Sequence, residues 1–203
     1  MKLVDFAYIY PMLKTAILSL IVSILIGCQH THYKDPHIII ETSYGEIELE
    51  LYPARAGATV TAFLAYIDSG YFKNSSIYRL VRTEDMNGNG FGLIQGGISQ
   101  TNEKLYNSIP GIKHESTKKT GLSHTSGTIS LARLAPGTAS TEFFICVGDQ
   151  TQFDEGGGSG DNLGFSAFGK VVTGMEIVRK IHSLPSRGEN FEGKHLIENI
   201  KRL

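Results

Sequence analysis

Cysteine is scarce in this chain: two in 203 residues, Cys28 and Cys146. If Cys28 serves another purpose, no intramolecular disulfide remains. A strong charge of one sign is missing too. The formal net charge is -1 and no basic stripe runs along the sequence, so nothing calls for a nucleic-acid backbone as partner. The apolar run AILSLIVSILIG, residues 16–27, is too short to cross a bilayer comfortably. With Lys14 just ahead of it, it reads as a secretory signal in preference to a membrane helix. There are no internal repeats and no second domain. The glycine-rich stretch 154–164 carries Asp154, Glu155 and Asp161, so calcium is conceivable there, but its spacing fits no EF-hand loop.

What is present suits one domain with a sizeable core, since 41% of residues are apolar. The sequence LIGC at 25–28 resembles a bacterial lipoprotein processing site. That resemblance implies cleavage before Cys28 and lipidation of its thiol and new amino group, and several acyl chains together anchor stably where one would not. Met12 gives a tidier start to this signal than Met1. The expected organisation is therefore a signal peptide at 1–27, a lipidated cysteine and tether at 28–37, and a folded domain at 38–203. The histidines His30, His32 and His37 read as part of a solvated tether, with weak metal binding as the other use. Gln29 after the cysteine, where aspartate would signal inner-membrane retention, looks like an outer-membrane protein if the cell is Gram-negative. The expected location is the bacterial cell envelope, lipid-anchored in the bilayer through acylated Cys28 and facing periplasm or exterior.

In the folded part, Ile47, Leu49 and Leu51 alternate with Glu46, Glu48 and Glu50, which marks a half-buried strand. Ser43-Tyr44-Gly45 is a hairpin turn pairing it with 38–43. Val60, Phe63, Leu64 and Ile67 follow helical spacing, with Gly70 as C-cap. Residues 76–82 read as a strand with Ile77, Arg79 and Val81 on one face and Tyr78 and Leu80 on the other. Loop 83–92 leads into a short strand at 92–97, while 98–125 shows little periodicity, and His114 and His124 read as surface or structural. GTISLA, TEFFICV and FSAFGKVV supply further strands, Met175, Val178 and Ile181 mark a second helix, and HLIENIKRL closes the chain as an edge or seam strand. Cys146 lies in an apolar strand as a small buried hydrophobe. Short strands at this density argue for a barrel or sandwich with helices over the ends.

Several segments together resemble the cyclophilin family of peptidyl-prolyl cis-trans isomerases: IYRLV with Arg79, IQGG with Gln95, GTISLA, TEFFICV, FSAFGKVV and GMEIV, in the family's order over about residues 38–202. The resemblance implies a mainly β fold, a closed eight-stranded antiparallel barrel capped by two helices, with a groove on its outside. It implies a single chain working alone on proline-containing polypeptides, without cofactor, metal or covalent intermediate, and open to cyclosporin-like inhibitors. By the same resemblance, Arg79, Gln95 and Glu142 are the catalytic positions. Leu93, Phe144 and Phe153 match pocket-lining positions, Phe91 or Gly92 falls near another aromatic one, and Phe165 keeps an aromatic wall without a polar tip. The backbone of Ala132 and Arg133 matches the site that pairs with the residue before proline. Strand alternation puts Phe143 in the interior and Glu142 on the face of Phe144. Glu142 stands where glutamine is common; as a carboxylate it only accepts hydrogen bonds, and it is expected to pair with Arg79, with Arg133 or with a bridging water.

Two rival readings remain. One is a non-catalytic proline-peptide-binding or chaperone module using the same groove. The other is a hydrolase built on Ser130, His124 and Asp149, but no G-x-S-x-G elbow surrounds Ser130 and no spacing ties the three together.

Overall fold

The computed structural model describes residues 33–84, 90–158, 160–191, 193 and 197–203. The expected signal peptide, Cys28, residues 29–32 of the tether, and residues 85–89 of the expected loop lie outside the described residues. The folded unit is Asp35–Leu203.

The chain enters through the expected hairpin of β1 (His37–Thr42) and β2 (Gly45–Leu51). Ile38 opposes Leu49 and Ile40 opposes Ile47, and all four are buried. The Thr42 hydroxyl closes the turn, donating to Gly45 O at 2.6 Å and accepting from Tyr44 N–H at 3.2 Å. Next, α1 (Gly57–Asp68) buries Val60, Phe63, Leu64 and Ile67. It ends as Ser69 and Gly70 return their N–H groups to Ala65 and Ile67, with Gly70 at φ +70°. Fully buried Phe63 meets the rings of Phe72 and Phe168, each at 5.0 Å, and of Phe143 at 5.8 Å. Such a buried side chain contributes about 1.5–3 kcal/mol.

Then come β3 (Ser76–Glu84), β4 (Gly90–Gly97), α2 (Glu103–Ser108), α3 (Thr117–Thr120), β5 (Thr128–Leu131), β6 (Phe143–Val147), a 3-10 turn (Thr151–Phe153), β7 (Ser166–Thr173), α4 (Met175–His182) and β8 (Ile197–Arg202). All strand pairs are antiparallel, in the order β3-β4-β6-β5-β7-β2-β1-β8.

This order corrects the expected closed barrel. The sheet is an open half-barrel, because its end strands β3 and β8 do not pair. Residues 74–75 make two backbone bonds to the start of β8, Asn74 N–H to Glu198 O and Ile197 N–H to Ser75 O. The seam stops there because another segment takes the free edge of β3: Leu80 N–H donates to Glu189 O and Phe191 N–H to Tyr78 O. The expectation of two helices is also too low. Among the described residues there are four, the additional two being α2 and α3, within the aperiodic stretch 98–125.

Candidate active site

A groove of about 370 Å³ opens on the outer face of the sheet along β3, β4 and β6. A β-bulge in β3 builds its polar end. Ile77 opposes Gly96 and Arg79 opposes Gln95, so Tyr78 is an extra residue in the ladder. A bulge re-aims the side chains beside it. The simple alternation expected from the sequence is therefore broken: Ile77 and Leu80 fill the core, while Tyr78, Arg79 and Val81 line the groove.

Arg79 is half exposed and held from two sides. Its Nε donates to Glu189 Oε2 at 2.8 Å, with Nη2 in ion-pair contact with the same oxygen at 2.7 Å, and its Nη1 donates to Gln95 Oε1 at 3.1 Å. Glu189 arrives from a tight turn at 187–190, where Gly188 has φ +60° and Arg187 and Asn190 exchange backbone hydrogen bonds. The backbone contacts of 189–191 to β3 set its carboxylate beside the guanidinium.

Glu142 does not pair with Arg79 or Arg133, contrary to the direct pairings expected of it. It is 5% exposed. Its Oε1 accepts from the N–H groups of Ile98 (2.8 Å) and Ser99 (3.1 Å) and from the Thr141 hydroxyl (3.2 Å). Its Oε2 accepts from the hydroxyls of Ser99 (2.8 Å) and Tyr78 (2.7 Å). Gly97 makes the approach possible: a Cβ there would stand 2.2 Å from Glu142 Oε1, and its φ is +149°. Tyr78 in turn accepts from Gln95 Nε2 at 2.7 Å. Burial first, and then the charge and hydrogen bond of Glu142, push the Tyr78 phenol well above its usual range, so it keeps its proton.

The apolar end is a hollow walled by Val81, Leu93, Ala132, Phe144, Phe153 and Phe165. Phe144, Phe153 and Phe165 meet edge to face in all three pairs, with centroids 5.4–5.6 Å apart. Phe143, its neighbour on β6, points the other way into the core with Phe63 and Phe72.

Comparison with known proteins points to one family. A family model described as cyclophilin type peptidyl-prolyl cis-trans isomerase/CLD matches residues 37–202. Peptidyl-prolyl cis-trans isomerase A of Dickeya dadantii is 35% identical over 146 residues, covering 71% of this chain and 70% of that protein. Peptidyl-prolyl cis-trans isomerase B of Escherichia coli is 34% identical over 145 residues, covering 71% and 82%. The chain belongs to the cyclophilin-type peptidyl-prolyl cis-trans isomerase family. It is an enzyme of that class, acting on proline-containing peptides. In fold, it is similar to a Cryptosporidium parvum cyclophilin-type isomerase, with a TM-score of 0.66 at 22% identity over 83% of this chain and 97% of that one.

The other expected residues of this cyclophilin fall as follows. Phe91 does not line the groove. It shares a face of β4 with Leu93 but stands two residues, about 7 Å, further along the strand, beside Gly148. Arg133 lines the groove, but its guanidinium is occupied. It makes a bidentate pair with Asp161 at 2.8 and 2.9 Å, donates to Gly164 O, and lies 5.2 Å over the Phe165 ring. It therefore ties loop 154–164 to the wall of the hollow and brings no net charge to the groove. Hydrogen bonds from Arg133 and Leu163 N–H hold the Asp161 carboxyl down at about 2. Among the described residues no group of three metal-ligating side chains gathers. Asp154, Glu155 and Asp161 are engaged with His124, Lys118 and Arg133 respectively.

Sequence reasoning missed Tyr78, Ser99, Glu189 and the seating of His124. The His124 ring is fully buried beneath Phe144, stacked at 5.7 Å and 15°. Its Nδ1 meets Asp154 Oδ1 at 2.6 Å and its Nε2 meets Ser130 Oγ at 2.9 Å. The carboxylate assigns the proton to Nδ1, so Nε2 accepts from Ser130. Serine, histidine and aspartate are thus in line, with Asp154 in the place imagined for Asp149, which instead accepts from Ser126 N–H. Ser130 is fully buried in β5, so no substrate carbonyl reaches it, and the row serves as a support and not as a nucleophile. Tyr78 sits beside the motif arginine but carries no mark of a bulge, and Glu189 lies 110 residues from its partner.

Proposed function

We propose that Arg79 supplies the hydrogen bond that lowers the rotation barrier about X-Pro bonds, while the hollow of Leu93, Phe144, Phe153 and Phe165 receives the proline ring. Amide resonance sets that barrier at about 18–20 kcal/mol. When the bond twists, resonance is lost and the proline nitrogen regains a basic lone pair. A fixed donor that meets the nitrogen only in the twisted state stabilises the transition state over the ground state. The observation that carries this reading is a half-exposed guanidinium at the mouth of an apolar hollow. Two of its five N–H groups donate to Glu189 and Gln95, and those left on the terminal nitrogens are available to a peptide. Gln95 steadies the arginine, and the backbone at Ala132 and Arg133 borders the groove where the residue before proline would lie. Cyclosporin-like inhibitors would occupy the same groove.

The reaction needs no nucleophile or proton acceptor, so Glu142 has no work as a base. A protease-coupled assay of a short X-Pro peptide tests the reading. Arg79→Ala is expected to lower kcat/KM by about 10²–10³, as for loss of one transition-state donor. Equal rates in wild type and variant would refute it.

We also propose that the enzyme works on exported proteins as a lipid-anchored component of a bacterial cell envelope, in the outer membrane if the cell is Gram-negative. The support is the LIGC sequence ahead of the tether, with acylation at Cys28. Labelling cells with a radioactive fatty acid is expected to mark wild type and not Cys28→Ala. Equal labelling would remove this proposal and leave the isomerase reading untouched.

A further inference from the structure

Four side chains form a line of hydrogen bonds whose direction is fixed at one end. Glu142 Oε1 faces two backbone N–H groups, which can only donate. Its Oε2 faces the hydroxyls of Ser99 and Tyr78. A carboxylate among five donors acts as an acceptor throughout. The single proton of Tyr78 must then point at Glu142, which leaves the phenol oxygen to accept from Gln95. The Gln95 amide must turn its NH2 to Tyr78 and its oxygen to Arg79.

We propose that Tyr78 and Glu142 are positioning residues: the carboxylate sets the direction of the Tyr78 O–H, the hydroxyl sets the orientation of the Gln95 amide, and the amide presents its oxygen to Arg79. The inference rests on the reading of Arg79 given above. Without this line, the two orientations of a glutamine amide differ little in shape. In the wrong one, an NH2 group faces the Arg79 Nη1, donor against donor, and the guanidinium loses one of its two supports. Glu142 is buried, and Tyr78 is in the β3 bulge that points it away from the core, so neither is free to find another partner. A buried polar line of this kind is stiff while every member is satisfied and fails as a unit when one is not.

Tyr78→Phe keeps the ring and removes the link. Glu142→Gln keeps Oε1 for the backbone donors and puts an NH2 where Tyr78 needs an acceptor. Each is expected to lower kcat about fivefold with KM within about twofold, because orientation of a bound group is lost and not affinity. In the Tyr78→Phe background, Glu142→Gln is expected to cost less than about twofold more, since the two act through one path. A second measurement does not use turnover: solvent exchange of the Gln95 side-chain NH2 protons by NMR. It is expected to quicken about tenfold in Tyr78→Phe, as a protecting hydrogen bond opens.

Turnover and exchange both unchanged in folded Tyr78→Phe would overturn the proposal, and so would independent, multiplying losses in the double variant. If Arg79→Ala matched wild type, the catalytic reading of Arg79 would fall, while exchange at Gln95 would still decide whether the line exists. If Tyr78→Phe does not fold, Glu142→Gln carries the test by the same two measurements.

Discussion

Replacing His124 with phenylalanine would keep a ring stacked under Phe144 and remove both ring nitrogens. Two partners lose a bond. Ser130 Oγ, fully buried, has His124 as its recorded partner, and stranding such a hydroxyl costs about 1–3 kcal/mol. The bond to Asp154 is charge-assisted and would be worth about 1.5–3 kcal/mol if buried. Asp154 is 21% exposed and keeps the Ser123 hydroxyl and the His124 backbone N–H, so its loss belongs at the lower end of that range. His124→Phe is therefore expected to destabilise by about 2.5–4.5 kcal/mol. Adding Ser130→Ala removes the stranded hydroxyl and is expected to restore about 1–2 kcal/mol, because deleting both partners is nearly neutral where deleting one is not. Urea unfolding at pH 7.5 measures both, with the midpoint moving and the slope unchanged. A single variant costing under about 1 kcal/mol, or a double variant no better than the single, would refute the account of this row as a structural support.

Acid should act through the same residue. Burial lowers the His124 pKa, and its bond to Asp154 only partly offsets that; burial lowers His182 likewise. Below about pH 6.5 the unfolded chain takes up protons that these folded histidines refuse, so stability falls with pH from there towards their depressed folded values. Partial burial tends to raise Asp154, but hydrogen bonds from Ser123 and His124 outweigh it; its contribution persists until pH falls below about 3.8. Urea midpoints at pH 7.5 and 5 should therefore differ more in wild type than in His124→Phe, and equal differences would count against His124. Glu189→Ala is expected to lower kcat about three- to tenfold by freeing one side of Arg79. It should barely move the melting temperature, since an ion pair this exposed contributes less than about 1 kcal/mol. Gly97→Ala should destabilise by about 2–4 kcal/mol, from the strained φ and the clash with Glu142, and lower turnover as well, both read in one preparation.

Elements with a strong local period could be read from the sequence. The β1–β2 hairpin shows in the alternation from Glu46 to Leu51, and α1 in the spacing of Val60, Phe63, Leu64 and Ile67. The opposite aims of Phe143 and Phe144 followed from the two-residue period of a strand. Features made by one insertion or by distant chain were not readable. One extra residue at Tyr78 exchanged the sides expected of Ile77 and Tyr78, while Arg79, Leu80 and Val81 alternate as expected. Helices of six and four residues are too short to show a period. The Asp154–His124–Ser130 row and the Glu189 contact join residues whose separation in sequence carries no pattern. Arg133 looked like a charge for the groove because Asp161, which neutralises it, lies 28 residues away.

The two ends of the open sheet are guarded in different ways. Segment 189–191 lies along β3, and β8 turns out exposed Glu198, Lys201 and Arg202, with Arg202 tied to Asp68. An unpaired edge recruits any extended chain as a further strand. The substrates of this enzyme are proline-containing polypeptides, and any extended stretch of one is a chain that a bare edge could pair with. An isomerase with a bare edge would anneal to its clients and leave with them as an aggregate. With one edge covered and the other lined with charge, a client is left the groove and not a bare strand to pair with.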